Sequence, residues 1–186
     1  MSPFYKNSRT EKDLIALCIK GESKAQRMLF DLFAGRLMSV CRRYSRTQEE
    51  AEDMLQESFI KIFSNLKSYT ASGSLYGWLK TITVNTSIKI LQKKYNKLLS
   101  EDIDSVQIAG KVSNIHQNLA AEDLIAIINS LPLGYKSVFN LYELEGYSHK
   151  EIGKLLNISE STSRSQLAKA KKMLKKSIPD YQKYAI

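Results

Sequence analysis

The chain is poor in the residues that build covalent or metallic scaffolds. Its two cysteines, Cys18 and Cys41, each lie beside apolar neighbours in a helical pattern, with no second cysteine or histidine at ligand spacing. That excludes a disulfide framework and a zinc module, and reads as two core thiols in a reducing compartment. The two histidines, His116 and His149, are isolated in sequence, and no glycine-rich phosphate loop accompanies them. The carboxylates that cluster do so on solvent faces rather than around a nucleophile, so no enzyme, metal, cofactor or small-molecule substrate is expected. No uncharged apolar run approaches membrane-spanning length, and the opening Met-Ser-Pro-Phe-Tyr-Lys-Asn-Ser-Arg-Thr lacks the apolar segment of a secretion signal. The expectation is a cytoplasmic protein without membrane insertion. Acidic side chains are missing from one long stretch, with none between Tyr76 and Ser100, and the chain as a whole carries a formal net charge of +9. Such a cationic surface gains affinity for polyphosphates through counterion release, although charge alone does not separate DNA from RNA or anionic lipid.

Against that background, residues 147–176 read as a helix-turn-helix with a positively charged second helix. Ser148 and Glu151 have capping-box spacing, which starts a helix at His149. Ile152, Leu155 and Leu156 give it one apolar stripe, Asn157-Ile158-Ser159 forms the turn, and Ser159 caps the next helix. At helical spacing Ser163, Leu167, Ala170 and Leu174 point inward. Glu160, Ser161, Thr162, Arg164, Ser165, Ala168, Lys169 and Lys172 are left outward or sideways, where a major groove would meet them. A solvated basic face on an ordinary helical hairpin is the alternative reading.

The N-terminal half is helical as well. One helix starts near Thr10 and ends near Gly21. A second runs from Ser23 to Ser45, with Ala25, Met28, Leu29, Leu32, Phe33, Leu37, Val40, Cys41 and Tyr44 as its core face. Thr47 and Glu50 open a third, from about Gln48 to Asn65, which carries Ala51, Leu55, Phe59, Ile62 and Leu66 inward. Asp53, Gln56, Glu57 and Ile60 share another face that is acidic in a basic protein. It reads either as a dock for a cationic partner or as a solvated side. A loop over 67–77 with Tyr69 and Tyr76 precedes a lysine-rich helix from Leu75 to Lys97, where rings can stack bases and lysines can neutralise phosphates. Trp78 reads first as a core anchor. Periodicity then fails over 100–117. The fold class expected is all-α: two small helical domains, 1–99 and 118–186, joined by an irregular linker over 100–117, the second ending in the helix-turn-helix. Within the second, one helix runs to about Ser130, Leu131-Pro132 breaks it, and another runs from Gly134 to Glu145 before Gly146.

Two blocks together resemble the extracytoplasmic-function (ECF) sigma factors of the sigma-70 family. Glu50-Ala51-Glu52-Asp53-Met54-Leu55-Gln56-Glu57-Ser58-Phe59-Ile60-Lys61-Ile62-Phe63 is similar to that family's core-polymerase-binding helix. Leu75-Tyr76-Gly77-Trp78-Leu79-Lys80-Thr81-Ile82-Thr83-Val84-Asn85 is similar to its promoter-reading helix. Leu131-Pro132, Val138-Phe139, Glu145-Gly146-Tyr147-Ser148, Glu151-Ile152 and Ile158-Ser159 follow the order of its second DNA-binding domain. The resemblance implies a transcription initiation factor with RNA polymerase core and promoter DNA as partners, and an anti-sigma factor as its inhibitor. It implies polymerase contact through Asp53, Gln56, Glu57 and Ile60. Duplex readout of the −35 element falls to Glu160, Ser161, Thr162, Arg164, Ser165 and Lys169. Single-strand capture at the −10 element falls to Tyr69, Tyr76, Lys80, Asn85, Lys89 and Lys93. Where the family's recognition helix opens as Gly-Thr-Val-Lys-Ser-Arg-Leu, this chain has Ser161-Thr162-Ser163-Arg164-Ser165-Gln166-Leu167. Ser163 in place of an apolar residue is expected to loosen packing unless its hydroxyl bonds back to the preceding turn. Gln166 in place of arginine is expected to remove a phosphate or base contact. A stand-alone operator-binding regulator is the competing reading, and it leaves residues 48–97 unexplained.

Overall fold

The computed structural model describes residues 8–100 and 121–177. Eight α-helices occur among them: α1 (Ser8–Ile19), α2 (Ser23–Tyr44), α3 (Gln48–Asn65), α4 (Leu75–Ser100), α5 (Ala121–Asn129), α6 (Leu133–Phe139), α7 (His149–Leu156) and α8 (Glu160–Ser177). No strand occurs among the described residues. Of the linker expected over 100–117 only Ser100, the last residue of α4, is described; the rest of it, His116, the start of the C-terminal unit near Asn118 and the tail after Pro179 fall outside the described residues. Two compact units emerge. One holds α1, α3, most of α2 and α4 through Ser87; the other holds Arg43–Arg46 and the described chain from Ile88 onward.

In the first unit the helices start where the local chemistry requires. Thr47 is extended at the N-cap of α3, and its hydroxyl accepts the Glu50 N–H at 3.1 Å. The buried side of α3 takes in Ala51, Met54, Leu55, Ser58, Phe59 and Ile62, two more positions than the apolar pattern marks. Ser58 is tolerated there because its hydroxyl donates to the Met54 carbonyl at 2.6 Å. Phe59 meets Phe30 of α2 at 4.6 Å between ring centroids, and Ala25, Leu29, Phe33, Leu37, Val40, Cys41 and Tyr44 are buried on α2. Met28, expected inside, is 44% exposed. At about 100° per residue it stands roughly 140° from Phe33, at the middle of the buried arc, so the wider apolar stripe overcounted the core.

The second unit is built round a smaller core. Ile127, Ile128 and Leu131 meet Ala170 and Leu174, with Tyr135 and Phe139 packed alongside. Each large aliphatic side chain removed from water there contributes ~1.5–3 kcal/mol. The helix expected over Gly134 to Glu145 is α6 followed by a wide π turn over Asn140–Leu144. Gly146 ends it with φ +79, a left-handed conformation that a side chain would strain.

The helix-turn-helix follows. Ser148 forms a complete capping box: its N–H donates to Glu151 Oε2 at 2.8 Å, and its hydroxyl accepts the Glu151 N–H at 3.3 Å. The first helix stops at Asn157, which takes the left-handed conformation at φ 55. Asn157 and Ile158 both send their N–H groups to the Gly153 carbonyl. The turn folds back so closely that a Cβ on Gly153 would stand 2.8 Å from the Ile158 carbonyl oxygen. Ser159 then caps α8, accepting the Thr162 N–H at 3.0 Å.

Candidate nucleic-acid interface

The α8 helix buries Ser163, Leu167, Ala170 and Leu174 and so turns a polar, cationic side to solvent. Glu160, Ser161, Arg164, Ser165 and Lys169 are exposed, and Thr162 is half-buried. The six do not stand equally ready. Thr162 belongs to the cap, with its hydroxyl 2.7 Å from Ser159 Oγ, which also meets Ser161 Oγ at 2.8 Å. Ser165 donates to the Thr162 carbonyl at 3.0 Å. The Arg164 guanidinium is ion-paired with Glu160 one turn earlier, and Lys169 Nζ lies 6.0 Å from the centre of the Tyr135 ring.

Two departures in this helix take on definite roles. Ser163 bonds not to the preceding turn but across to α7, where His149 Nδ1 lies 2.9 Å from its hydroxyl. The loosening expected of Ser163 is thereby offset, and His149 is not isolated: its ring also stacks on Tyr142 at 4.5 Å. Gln166 is half-buried with its Oε1 inside, and it lies against Gly134, where a Cβ would stand 3.3 Å from that oxygen. In this chain position 166 therefore faces the start of α6, where the glutamine amide packs inward rather than turning to solvent.

The second candidate surface runs along α4 and the loop that precedes it. The loop from Tyr69 to Ser74 is braced by Tyr69, whose hydroxyl donates to the Gly73 carbonyl at 2.9 Å and to Glu11 Oε1 at 3.3 Å. Burial and the neighbouring Glu11 charge raise the Tyr69 phenol above its ordinary value, which keeps it a donor. The Tyr69 ring packs on Trp78 at 5.5 Å. Trp78, expected as a core anchor, is half-buried, packed on Tyr69 along the more open side of α4. At about 100° per residue Trp78, Asn85 and Lys89 fall within roughly 40° of one another, and Lys93 is close to them.

Tyr76 and Lys80 stand on the other side of α4, with Tyr76 about 180° from Asn85. Tyr76 stacks beside Phe33 at 6.4 Å, and the Arg36 guanidinium covers its ring at 3.5 Å. The six residues expected to capture single strand thus divide between two faces. Trp78 and Arg36 join them: Trp78 shares a helix face with Asn85 by its spacing, whereas its contact with Tyr69 and the Arg36–Tyr76 contact have no signal in the sequence. Asn85 Oδ1 is buried and accepts no hydrogen bond from any described residue.

The acidic face of α3 keeps the expected composition. Asp53 and Gln56 are exposed, Glu57 is half-buried and paired with Lys61 at 3.2 Å, and Ile60 is 62% exposed. Ile60 is thus an open apolar side chain set among carboxylates.

No group of three or more potential metal ligands occurs among the described residues. Among them, too, no helix is long and apolar enough to cross a membrane. Two all-α units, one ending in a capped helix-turn-helix and the other presenting a basic, aromatic helix, define a DNA-binding transcription factor of two modules.

Comparison with known proteins specifies the class. Residues 29–96 match the profile described as Sigma-70 region 2, and residues 121–174 match Sigma-70, region 4. The ECF RNA polymerase sigma factor SigE of Mycolicibacterium smegmatis is 29% identical over 153 residues, which cover 76% of this chain and 57% of that protein. The ECF RNA polymerase sigma-E factor of Haemophilus influenzae is 25% identical over 181 residues, 91% of this chain and 95% of that protein. The sigma factor RpoE of Bartonella quintana, solved with the anti-sigma factor NepR, has the same fold, with a TM-score of 0.52 at 21% identity over 81% of this chain and 94% of that one. The chain belongs to the sigma-70 family, in its ECF group, and its function is that of a sigma factor, directing RNA polymerase to promoters. The match over residues 29–96 accounts for the N-terminal half that an operator-binding regulator leaves unexplained.

Proposed function

We propose that the three surfaces divide the work of promoter selection, with no active site in the chain itself. α8 enters the major groove of the −35 element, where the Arg164 fork takes guanine and Glu160 accepts from cytosine, while Ser161, Thr162, Ser165 and Lys169 hold the backbone. The open side of α4 captures the unpaired strand of the −10 element. A factor without ATP opens a duplex only by binding extruded bases better than the closed helix, and ring stacking supplies ~1–3 kcal/mol per base.

The observation that carries this reading is the line of Tyr69, Trp78, Asn85 and Lys89. It offers two adjoining rings, an amide and a cation in sequence along one surface. Asn85 gains by turning toward a base, since a buried acceptor without a partner costs ~1–3 kcal/mol. Lys93 continues the cationic edge toward the phosphates. Tyr76 and Lys80, on the far side of α4, are placed to bind a different stretch of strand from Asn85.

Asp53, Gln56, Glu57 and Ile60 dock on RNA polymerase core, with opposite charge steering encounter and Ile60 as the anchor. An anti-sigma factor that covers the α3 face or α8 would hold the protein inactive, and the site of action is the cytoplasm, where the polymerase works. The test is reconstitution with purified RNA polymerase core, followed by run-off transcription and permanganate probing of unpaired thymines. Tight binding, new start sites and reactive thymines near −10 are expected. Failure to bind core, with duplex DNA bound by the chain alone, would remove the reading.

A further inference from the structure

A hydrogen bond that an apolar side chain cannot make holds the recognition helix. Ser163 is fully buried between Thr162 and Arg164, and its hydroxyl lies 2.9 Å from Nδ1 of His149, itself only 9% exposed. His149 is the first residue of α7, immediately after the N-cap Ser148, and its ring lies flat on Tyr142 with 21° between the planes. The imidazole is thus held on two sides, its face by Tyr142 and its Nδ1 edge by Ser163, on a backbone fixed beside the cap. We infer that His149 is a positioning residue for promoter readout. Through the Ser163 hydroxyl it sets the rotation and depth of the first turns of α8, and so decides which base edge Arg164 reaches.

The physical case turns on direction. An apolar residue at position 163 would be held by dispersion and water exclusion, which are non-directional and let a helix slide or turn slightly against its neighbour. A hydrogen bond tolerates only a few tenths of an ångström before it weakens. Arg164 is the next residue after Ser163, so any rotation of the helix reaches it undiminished. A turn of about 20° at a radius of roughly 6 Å moves a side chain by ~2 Å, enough to break a bidentate contact with guanine. Stability alone does not explain the pair, because exchanging both members for apolar groups of similar shape is close to neutral. A satisfied buried polar contact selects one arrangement instead.

This inference rests on the assignment of α8 to the −35 duplex, and the experiment separates the two. Full-length protein is assembled with RNA polymerase core, and complex formation is measured on a promoter panel with each −35 base changed singly, with thermal unfolding of each variant in parallel. The apolar pair His149→Phe with Ser163→Val, and the single change Ser163→Ala, are each expected to lower discrimination among −35 variants about tenfold. His149→Asn, whose amide can occupy the place of Nδ1, is expected to retain most of it. A wild-type holoenzyme with no upstream preference overturns the −35 assignment and this inference with it. A wild type that discriminates, beside a Ser163→Ala variant that discriminates equally, overturns the positioning role alone.

Discussion

Glu160 and Arg164, one turn apart on the exposed side of α8, form an ion pair. The side chains proposed to read DNA therefore hold each other in the unbound protein. With both about half-exposed, such a pair contributes ~0.3–0.5 kcal/mol, whereas a good bidentate contact with guanine discriminates by ~1–3 kcal/mol. Promoter DNA should win, and the pair serves to keep the guanidinium extended along the reading face. Arg164→Ala is expected to cost ~1–3 kcal/mol at a preferred promoter and to relax one −35 position. Glu160→Gln separates two roles. A change of about twofold at every promoter marks Glu160 as a support for Arg164, and relaxation of one neighbouring base pair marks it as a reader. Competition binding on the single-base promoter panel distinguishes them.

The α3 face makes a prediction that is independent of DNA. Asp53→Lys with Glu57→Lys is expected to weaken binding to RNA polymerase core about tenfold at low salt, with a smaller effect as ionic strength rises and screening shortens the reach of the charges. Ile60→Ala should lose more than ~1 kcal/mol with no such salt dependence, because its contribution is apolar contact area. Core binding followed by fluorescence anisotropy over a salt series provides both readings. An unchanged affinity in the charge-reversed protein would leave the acidic face as a solvated side.

Much of this architecture is legible along the chain because it is encoded within one or two helical turns. The Ser148–Glu151 box, the Thr47 cap, the glycine stop at Gly146 and the inward set Ser163, Leu167, Ala170 and Leu174 all follow from spacing, and each stands where expected. What spacing does not convey is which side of a helix a neighbour covers. On α4, buried on most sides, periodicity does not say that Tyr76 meets Arg36 and Phe33 of α2 while Trp78 meets Tyr69. Gln166 is turned inward by Gly134, and Ser163 finds its partner 14 residues away in another helix. These are tertiary pairings with no local signature.

The tight turn between α7 and α8 predicts a large effect from one methyl group. Gly153 is buried in α7, and a Cβ there would stand 2.8 Å from the Ile158 carbonyl oxygen, a backbone atom that cannot rotate aside. Alanine favours helix by ~1 kcal/mol over glycine in an unhindered position. Here that gain is set against overpacking of about 1–3 kcal/mol and a strained bond from the Ile158 N–H to the Gly153 carbonyl. Gly153→Ala should therefore destabilise, by denaturant unfolding, and should weaken −35 recognition more than core binding. A more stable variant would mean that the turn relaxes without cost.

The cap of α7 makes the last prediction, through pH. Glu151 is held below the ordinary carboxylate range by hydrogen bonds from the Ser148 hydroxyl and backbone N–H, with nearby Lys154 assisting. Because the carboxylate is favoured in the folded state, its contribution is present above the ordinary value and disappears as pH falls through the lowered one. Ser148→Ala should cost ~1 kcal/mol near neutrality, as loss of an N-cap does, and the deficit relative to wild type should shrink in acid as Glu151 protonates in both proteins. Glu151→Gln keeps an acceptor for the Ser148 N–H without the charge. Its unfolding temperature should follow the wild type's in acid and fall below it toward neutral pH. Parallel curves for Glu151→Gln and wild type across the carboxylate range would show that the charge plays no part in the cap.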